Sequence, residues 1–264
     1  MQNKRIINNE VADVFLRKAI KNAGKHQIYS TEYARTLNMK YFFFACGLLP
    51  FLMISCATQR EMSLAAGSVP TGPLPRFFYP ETAITQRDSL MALYGNNKRF
   101  VPEFELPALL ALSCYPDLRE VAINFSMKNI HTSLATRPRA HTVFRQQRHY
   151  TIFIDNDSEY TTPLLHDAPF NAQVGIIGHE LAHIADYEQK TGWQIIGTGL
   201  RYLHHPSRPA FERGIDLLAL QRGLCHQLYD WALFIEASEA SPEYKAYKRK
   251  TYMTVEEVKK WVDE

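Results

Sequence analysis

The chain has 264 residues, 46% of them hydrophobic, enough for one substantial core or two small ones. Its formal charge of +3 is unevenly placed: residues 1–56 carry eight Lys/Arg against three acids, and residues 57–264 carry 22 bases against 24 acids. The body of the chain is therefore slightly acidic, and no nucleic-acid partner is expected.

Tyr41 to Ser55 is nearly unbroken apolar sequence, preceded by Lys40 and closed by Cys56. At about 15 residues it is short for a membrane span, which needs roughly 20, and suits the apolar core of an export signal. The run Leu52-Met53-Ile54-Ser55-Cys56 resembles a bacterial lipoprotein signal, with Met53 where such signals usually carry Leu. That resemblance implies cleavage before Cys56, lipidation of Cys56 and an exported, membrane-anchored lipoprotein of a bacterial envelope. Met39-Lys40 would open the signal (39–56), leaving 1–38 as an upstream extension. Residues 57–80, with Gly67, Pro70, Gly72, Pro73, Pro75 and Pro80, read as a tether to a folded part spanning 81–264. With Cys46 in the signal and Cys56 lipidated, Cys114 and Cys225 remain, either as one disulfide or as two thiols.

Arg87 to Tyr94 reads as a short helix closed by Gly95, and Leu106 to Cys114 is an apolar run. From Arg119 the pattern alternates, with Val121, Ile123 and Phe125 on one face, as expected of a strand. Thr132–Leu134 and Thr142–Phe144 read as further short strands, and Tyr150–Ile154 is the clearest strand in the chain. A small, mostly antiparallel sheet is thus expected ahead of the helices.

Residues 171–189 form the next predicted helix, with Asn171 as N-cap and Val174, Ile177, Leu181 and Ile184 as its buried stripe. A helical stretch over 193–204 follows, and His204-His205-Pro206 breaks the chain. One long helix is predicted over 211–235, with Leu217, Leu220, Leu224, Leu228 and Trp231 inward. Thr254 and Glu257 have the spacing of a capping box for a last helix reaching Trp261.

Within 171–189 lies Gly178-His179-Glu180-Leu181-Ala182-His183. Four residues apart on a helix, His179 and His183 project from one face, and Glu180 stands beside them. Two imidazoles in that arrangement can chelate Zn²⁺, and an adjacent carboxylate can take a proton from water. This HExxH run resembles the active-site helix of zinc metallopeptidases. A metzincin arrangement is excluded, because Asp186 and Gln189 stand where Gly and His would be needed. Phe211-Glu212-Arg213-Gly214-Ile215-Asp216 resembles instead the ExxxD element of the gluzincins, with Ile215 where a small residue is usual.

The resemblance, carried by 171–216, implies an α+β, zincin-like fold in which the small sheet precedes a helical half bearing the HExxH helix. It implies Zn²⁺ held by His179, His183 and Glu212, with Asp216 behind a ligating His and Glu180 as general base. An edge strand, either 150–154 or 142–144, would pair with the backbone of a protein or peptide substrate. An oxyanion donor is expected among Tyr252, Tyr187, Tyr244, His226, His204 and His205. His204 and His205 are rival ligands, and Asp186 is a further candidate. Two other readings stay open: an envelope lipoprotein with an assembly or chaperone-like role, and a non-enzymatic interaction lipoprotein.

Overall fold

The computed structural model describes residues 77–157, 162–203 and 205–263. The expected extension, signal and most of the tether, with Cys46 and Cys56, lie outside the described residues, as does His204. No described helix is long and apolar enough to cross a membrane.

After a single helical turn at Pro80–Ala83, helix α1 (Arg87–Tyr94) ends at Gly95, as expected. Strand β1 (Lys98–Arg99) leads into α2 (Glu105–Ser113), whose apolar run is buried all round, the mark of a core helix. Then come β2 (Ala122–Met127), β3 (Leu134–Pro138) and β4 (His149–Ile154). The helical half consists of α3 (Phe170–Glu188), α4 (Gly192–Leu203), α5 (Arg208–Gln221), α6 (Cys225–Ala237), α7 (Pro242–Thr251) and α8 (Val255–Asp263). The class is α+β, with a small four-stranded sheet beside a mostly helical body.

The sheet is mixed, not mostly antiparallel. Its order is β1-β2-β4-β3; β1–β2 and β2–β4 are parallel, and only β3–β4 is antiparallel. Alternation in a sequence reports which face of a strand is buried but says nothing of strand order. Here β4 returns between β2 and β3. Paired on both sides, β4 cannot be an edge, and its successive buried residues Tyr150, Thr151 and Ile152 show that both of its faces are covered. The edges are β1 and β3; β3 begins at Leu134, at the end of the predicted 132–134 segment, and closes on Pro138. Proline is tolerated there because an edge strand leaves one row of amides without a ladder partner. Residues 140–142 form a 3-10 turn, so 142–144 is not a strand.

Helix α3 runs through the core, with Val174, Ile177, Leu181 and Ile184 fully buried as the periodicity predicts. Its N-cap is Pro169, not Asn171. The Asn171 amide is spent on tertiary bonds: Oδ1 accepts from the Phe78 amide (3.0 Å) and Gln227 Nε2 (3.2 Å), and Nδ2 donates to Asp230 (2.7 Å). Once buried, an amide must satisfy both of its ends, and long-range partners displace the local cap.

Where one helix was expected over 211–235, the chain breaks between α5 and α6. Gly223 takes φ 90°, a conformation that side-chain-bearing residues rarely adopt. Arg222 makes a two-pronged pair with Asp117, both bonds 2.8 Å, and so ties the corner to the turn after α2. The predicted inward residues Leu220, Leu224, Leu228 and Trp231 are buried, whereas Leu217 is only partly so. The capping box is present: the Thr254 amide donates to Glu257 (2.8 Å) and the Glu257 amide to Thr254 Oγ1 (3.3 Å).

Helices α3 and α6 approach until their backbones nearly touch. A Cβ on Gly175 would stand 2.3 Å from the Gln227 carbonyl oxygen, and one on Gly178 would stand 2.3 Å from Leu224 Cδ1. Alanine gains roughly 1 kcal/mol of helix propensity over glycine, but a backbone contact that short must separate the helices, at about 1–3 kcal/mol. Gly175→Ala is therefore expected to lower the denaturation midpoint. Gly214→Ala, on α5 with open space around it, should raise stability by up to about 1 kcal/mol. Equal shifts in urea titrations of the two variants would contradict the close crossing.

Candidate metal centre

Two hydrogen bonds from outside the helix hold α3 at the HExxH run. Tyr115 donates its hydroxyl to the Gly178 carbonyl (2.7 Å), and Thr136, on edge strand β3, donates to the Glu180 carbonyl (3.0 Å). The helix is thus fixed from the α2 side and from the sheet, directly beneath the polar residues. Neither anchor is foreseeable from sequence, since a Tyr before Pro116 and a Thr in a strand carry no local signal of a partner so far along the chain.

His179, Glu180 and His183 are all buried, and their donor atoms lie within 4.8 Å of one another, a group able to hold a metal ion. From α5, Glu212 Oε2 reaches His179 Nε2 at 3.3 Å and His183 Nε2 at 3.4 Å. Asp216, one turn further on, meets His179 Nδ1 at 2.8 Å, and its other oxygen accepts from the Met253 amide at 2.8 Å. A carboxylate on Nδ1 orients the ring and turns Nε2 toward Glu212. His183 lies between aromatic rings, with Tyr187 at 6.3 Å and Phe211 at 5.4 Å. Tyr187 in turn stacks on Tyr150 of β4 (6.2 Å, 5° between planes). This column connects the second histidine to the sheet.

The electrostatics favour a cation. Burial alone would lower the His179 pKa, but the Asp216 and Glu212 carboxylates outweigh it and raise the pKa to about 10. Burial would likewise raise Glu212, yet His183 and His179 hold its carboxyl well below the usual range. Glu180 Oε2, His183 Nδ1 and Glu212 Oε2 are nevertheless buried without a well-aligned hydrogen bond. Orphaned polar atoms in a dry interior cost roughly 1–3 kcal/mol each, which marks the cluster as a site rather than a stabilising network.

Asp186 points away from this group, in an ion pair with Lys190 (2.5 Å) at the end of α3. Among the proposed oxyanion donors, the Tyr252 ring lies 5.6 Å from that of His179. Burial, then the neighbouring Glu212, pushes the Tyr252 hydroxyl far above its ordinary pKa, so it stays protonated. Tyr187 lies against His183, Tyr244 OH is buried, and His226 packs against Phe77 (6.3 Å). Cys114 and Cys225 are separate thiols, Cys114 being buried and pushed up to about 12. A cleft open to solvent reaches His179, Glu180 and Tyr252; Leu134, Ile176 and Trp231 line its wall.

No family model, curated protein or solved structure gives a significant match to the chain.

Replacing Asp216 with alanine should lower metal affinity about 10- to 100-fold without abolishing binding, because it frees the His179 ring while leaving the donor atoms in place. A competition titration against a chromogenic chelator measures this. An unchanged affinity would show that the Asp216–His179 bond does not orient a ligand.

Proposed function

We propose that this chain is a zinc-dependent metallopeptidase of the gluzincin type, with His179, His183 and Glu212 as metal ligands. The observation that carries the reading is the pair of contacts from Glu212 Oε2 to the two Nε2 atoms, 3.3 and 3.4 Å. Ligands at zinc's usual distances, arranged tetrahedrally, stand about 3.4 Å apart, so each of these two contacts has the spacing of a pair of donors around one small ion. The orphaned Glu212 Oε2 supports the same reading, as does the chemistry of the set, two imidazole nitrogens and a carboxylate.

A zinc ion held by these residues supplies Lewis acidity and lowers the pKa of water at the site. Glu180 takes a proton from the attacking water and delivers it to the departing amine. Asp216 keeps the His179 tautomer fixed throughout. Tyr252 is the group best placed to donate to the developing oxyanion, since its ring lies beside His179 and its hydroxyl remains protonated. Edge strand β3, anchored to the Glu180 carbonyl through Thr136, offers its free amides and carbonyls to an extended peptide. The apolar wall of Leu134, Ile176 and Trp231 receives a side chain of that peptide. In the same reading, lipidated Cys56 anchors the enzyme at the envelope surface.

The test is metal content together with hydrolysis. Full-length chain purified with zinc should contain about one ion and cleave an unstructured protein such as casein. A zinc chelator should stop cleavage, and added zinc should restore it. A chain that holds zinc but cleaves nothing would favour the assembly-factor reading. A chain that holds no metal would leave the histidines with a structural role.

A further inference from the structure

We infer that helix α4, together with the Phe144 loop, is a docking face for an anionic lipid surface. The inference does not depend on the peptidase reading. On α4, Ile195 and Thr198 face the body of the protein and are buried, while Trp193, Ile196 and Leu200 face outward. They are 75%, 41% and 63% exposed and stand at i, i+3 and i+7, one stripe of the helix. Phe144, 61% exposed, packs edge-on against Trp193 with ring centroids 5.0 Å apart, and so extends the stripe onto the neighbouring loop. A Cβ on Gly192 would stand 2.5 Å from the Phe144 ring. The absence of a side chain there lets the loop close against the helix. Single exposed apolar residues are ordinary, whereas four in one contiguous face mark a contact surface.

Charge selects the partner. The two segments that form this face, 139–149 and 189–200, contain Arg139, Arg145, Arg148 and Lys190 and no acidic residue. Asp186 and Glu188, at the end of α3, pair with Lys190 (2.5 Å) and Arg148 (3.7 Å), so these four charges offset one another and Arg139 and Arg145 carry the positive charge of the face. Arg145 is exposed beside Phe144. A shallow apolar ridge led by Trp and Phe and flanked by bases suits a headgroup layer, where rings enter the boundary and guanidinium groups meet phosphates. This bias is local, since residues 57–264 as a whole are slightly acidic.

The apolar stretch at 41–55 could bring the full chain to any membrane, so bulk binding does not decide the matter. Trp193 itself is the readout. Full-length chain is mixed with phosphatidylglycerol vesicles carrying brominated acyl chains, beside a Trp193→Phe variant; this residue is surface-exposed, so the fold is preserved. Quenching and a blue shift of emission in the wild type, mostly lost in Trp193→Phe, would support the inference. So would an affinity about five-fold weaker for Arg145→Gln and weak quenching with phosphatidylcholine vesicles. Wild type and Trp193→Phe quenched alike, or vesicle-bound wild type left unquenched, would overturn it. Equal response to both lipids, or shielding of Trp193 by a second copy of the chain or by nucleic acid in place of vesicles, would overturn it as well.

Discussion

Replacing His183 with alanine is expected to reduce bound zinc from about one ion per chain to almost none. The substitution removes one of two imidazoles that share a helix face and leaves Glu212 with a single nitrogen opposite it, His179 at 3.3 Å. Two donors hold zinc far less well than three, and no other described His or Cys stands in the group. The variant also empties the space between Tyr187 and Phe211, so some stability is lost with the metal. His166→Ala is the control. His166 is exposed and pairs with neighbouring Asp167, so its loss should leave metal content unchanged. Circular dichroism on both variants separates loss of metal from loss of fold. A folded His183→Ala chain that keeps its zinc would place the ion elsewhere.

Glu180→Gln should leave the metal in place and slow peptide hydrolysis about 10²- to 10⁴-fold, the usual contribution of a positioned general base. Glutamine has the same shape, and the helix beneath it is fixed by the Thr136 bond to the backbone carbonyl at this position. The amide cannot accept a proton from water at neutral pH, which isolates the chemistry from the architecture. Glu180 is buried with one oxygen lacking a partner, so exchanging it for an amide should not unfold the chain. Zinc content and turnover measured on the same sample are the discriminating pair. Undiminished turnover in the Glu180→Gln variant would remove Glu180 from the mechanism.

The helix that carries the candidate ligands was legible in the sequence because its signal is local. Val174, Ile177, Leu181 and Ile184 recur at helical spacing, and His179 and His183 inherit a common face from that same period. The approach of Glu212 and Asp216 was also anticipated, through a resemblance in spacing, although nothing in residues 211–216 themselves points toward His179. Long-range geometry stayed hidden. The mixed sheet depends on β4 returning between β2 and β3, which no property of His149–Ile154 encodes. The break at Gly223 was overridden by an apolar period that continues across it, because leucines on both sides face one core. Asn171 shows the reverse error: its residue type suits a cap, but burial assigned its amide to Phe78, Gln227 and Asp230.

The two oxygens of Asp216 point in opposite directions, one to His179 and the other to the Met253 amide at the entry to α8. Whatever steadies one bond steadies the other, so metal occupancy and the seating of the C-terminal helix are expected to be thermodynamically linked. A chain shortened before Thr254 should bind its ion less tightly, and loading the ion should slow cleavage of the tail by an added protease. Resistance of the last helix to clipping would then report occupancy without any substrate in hand.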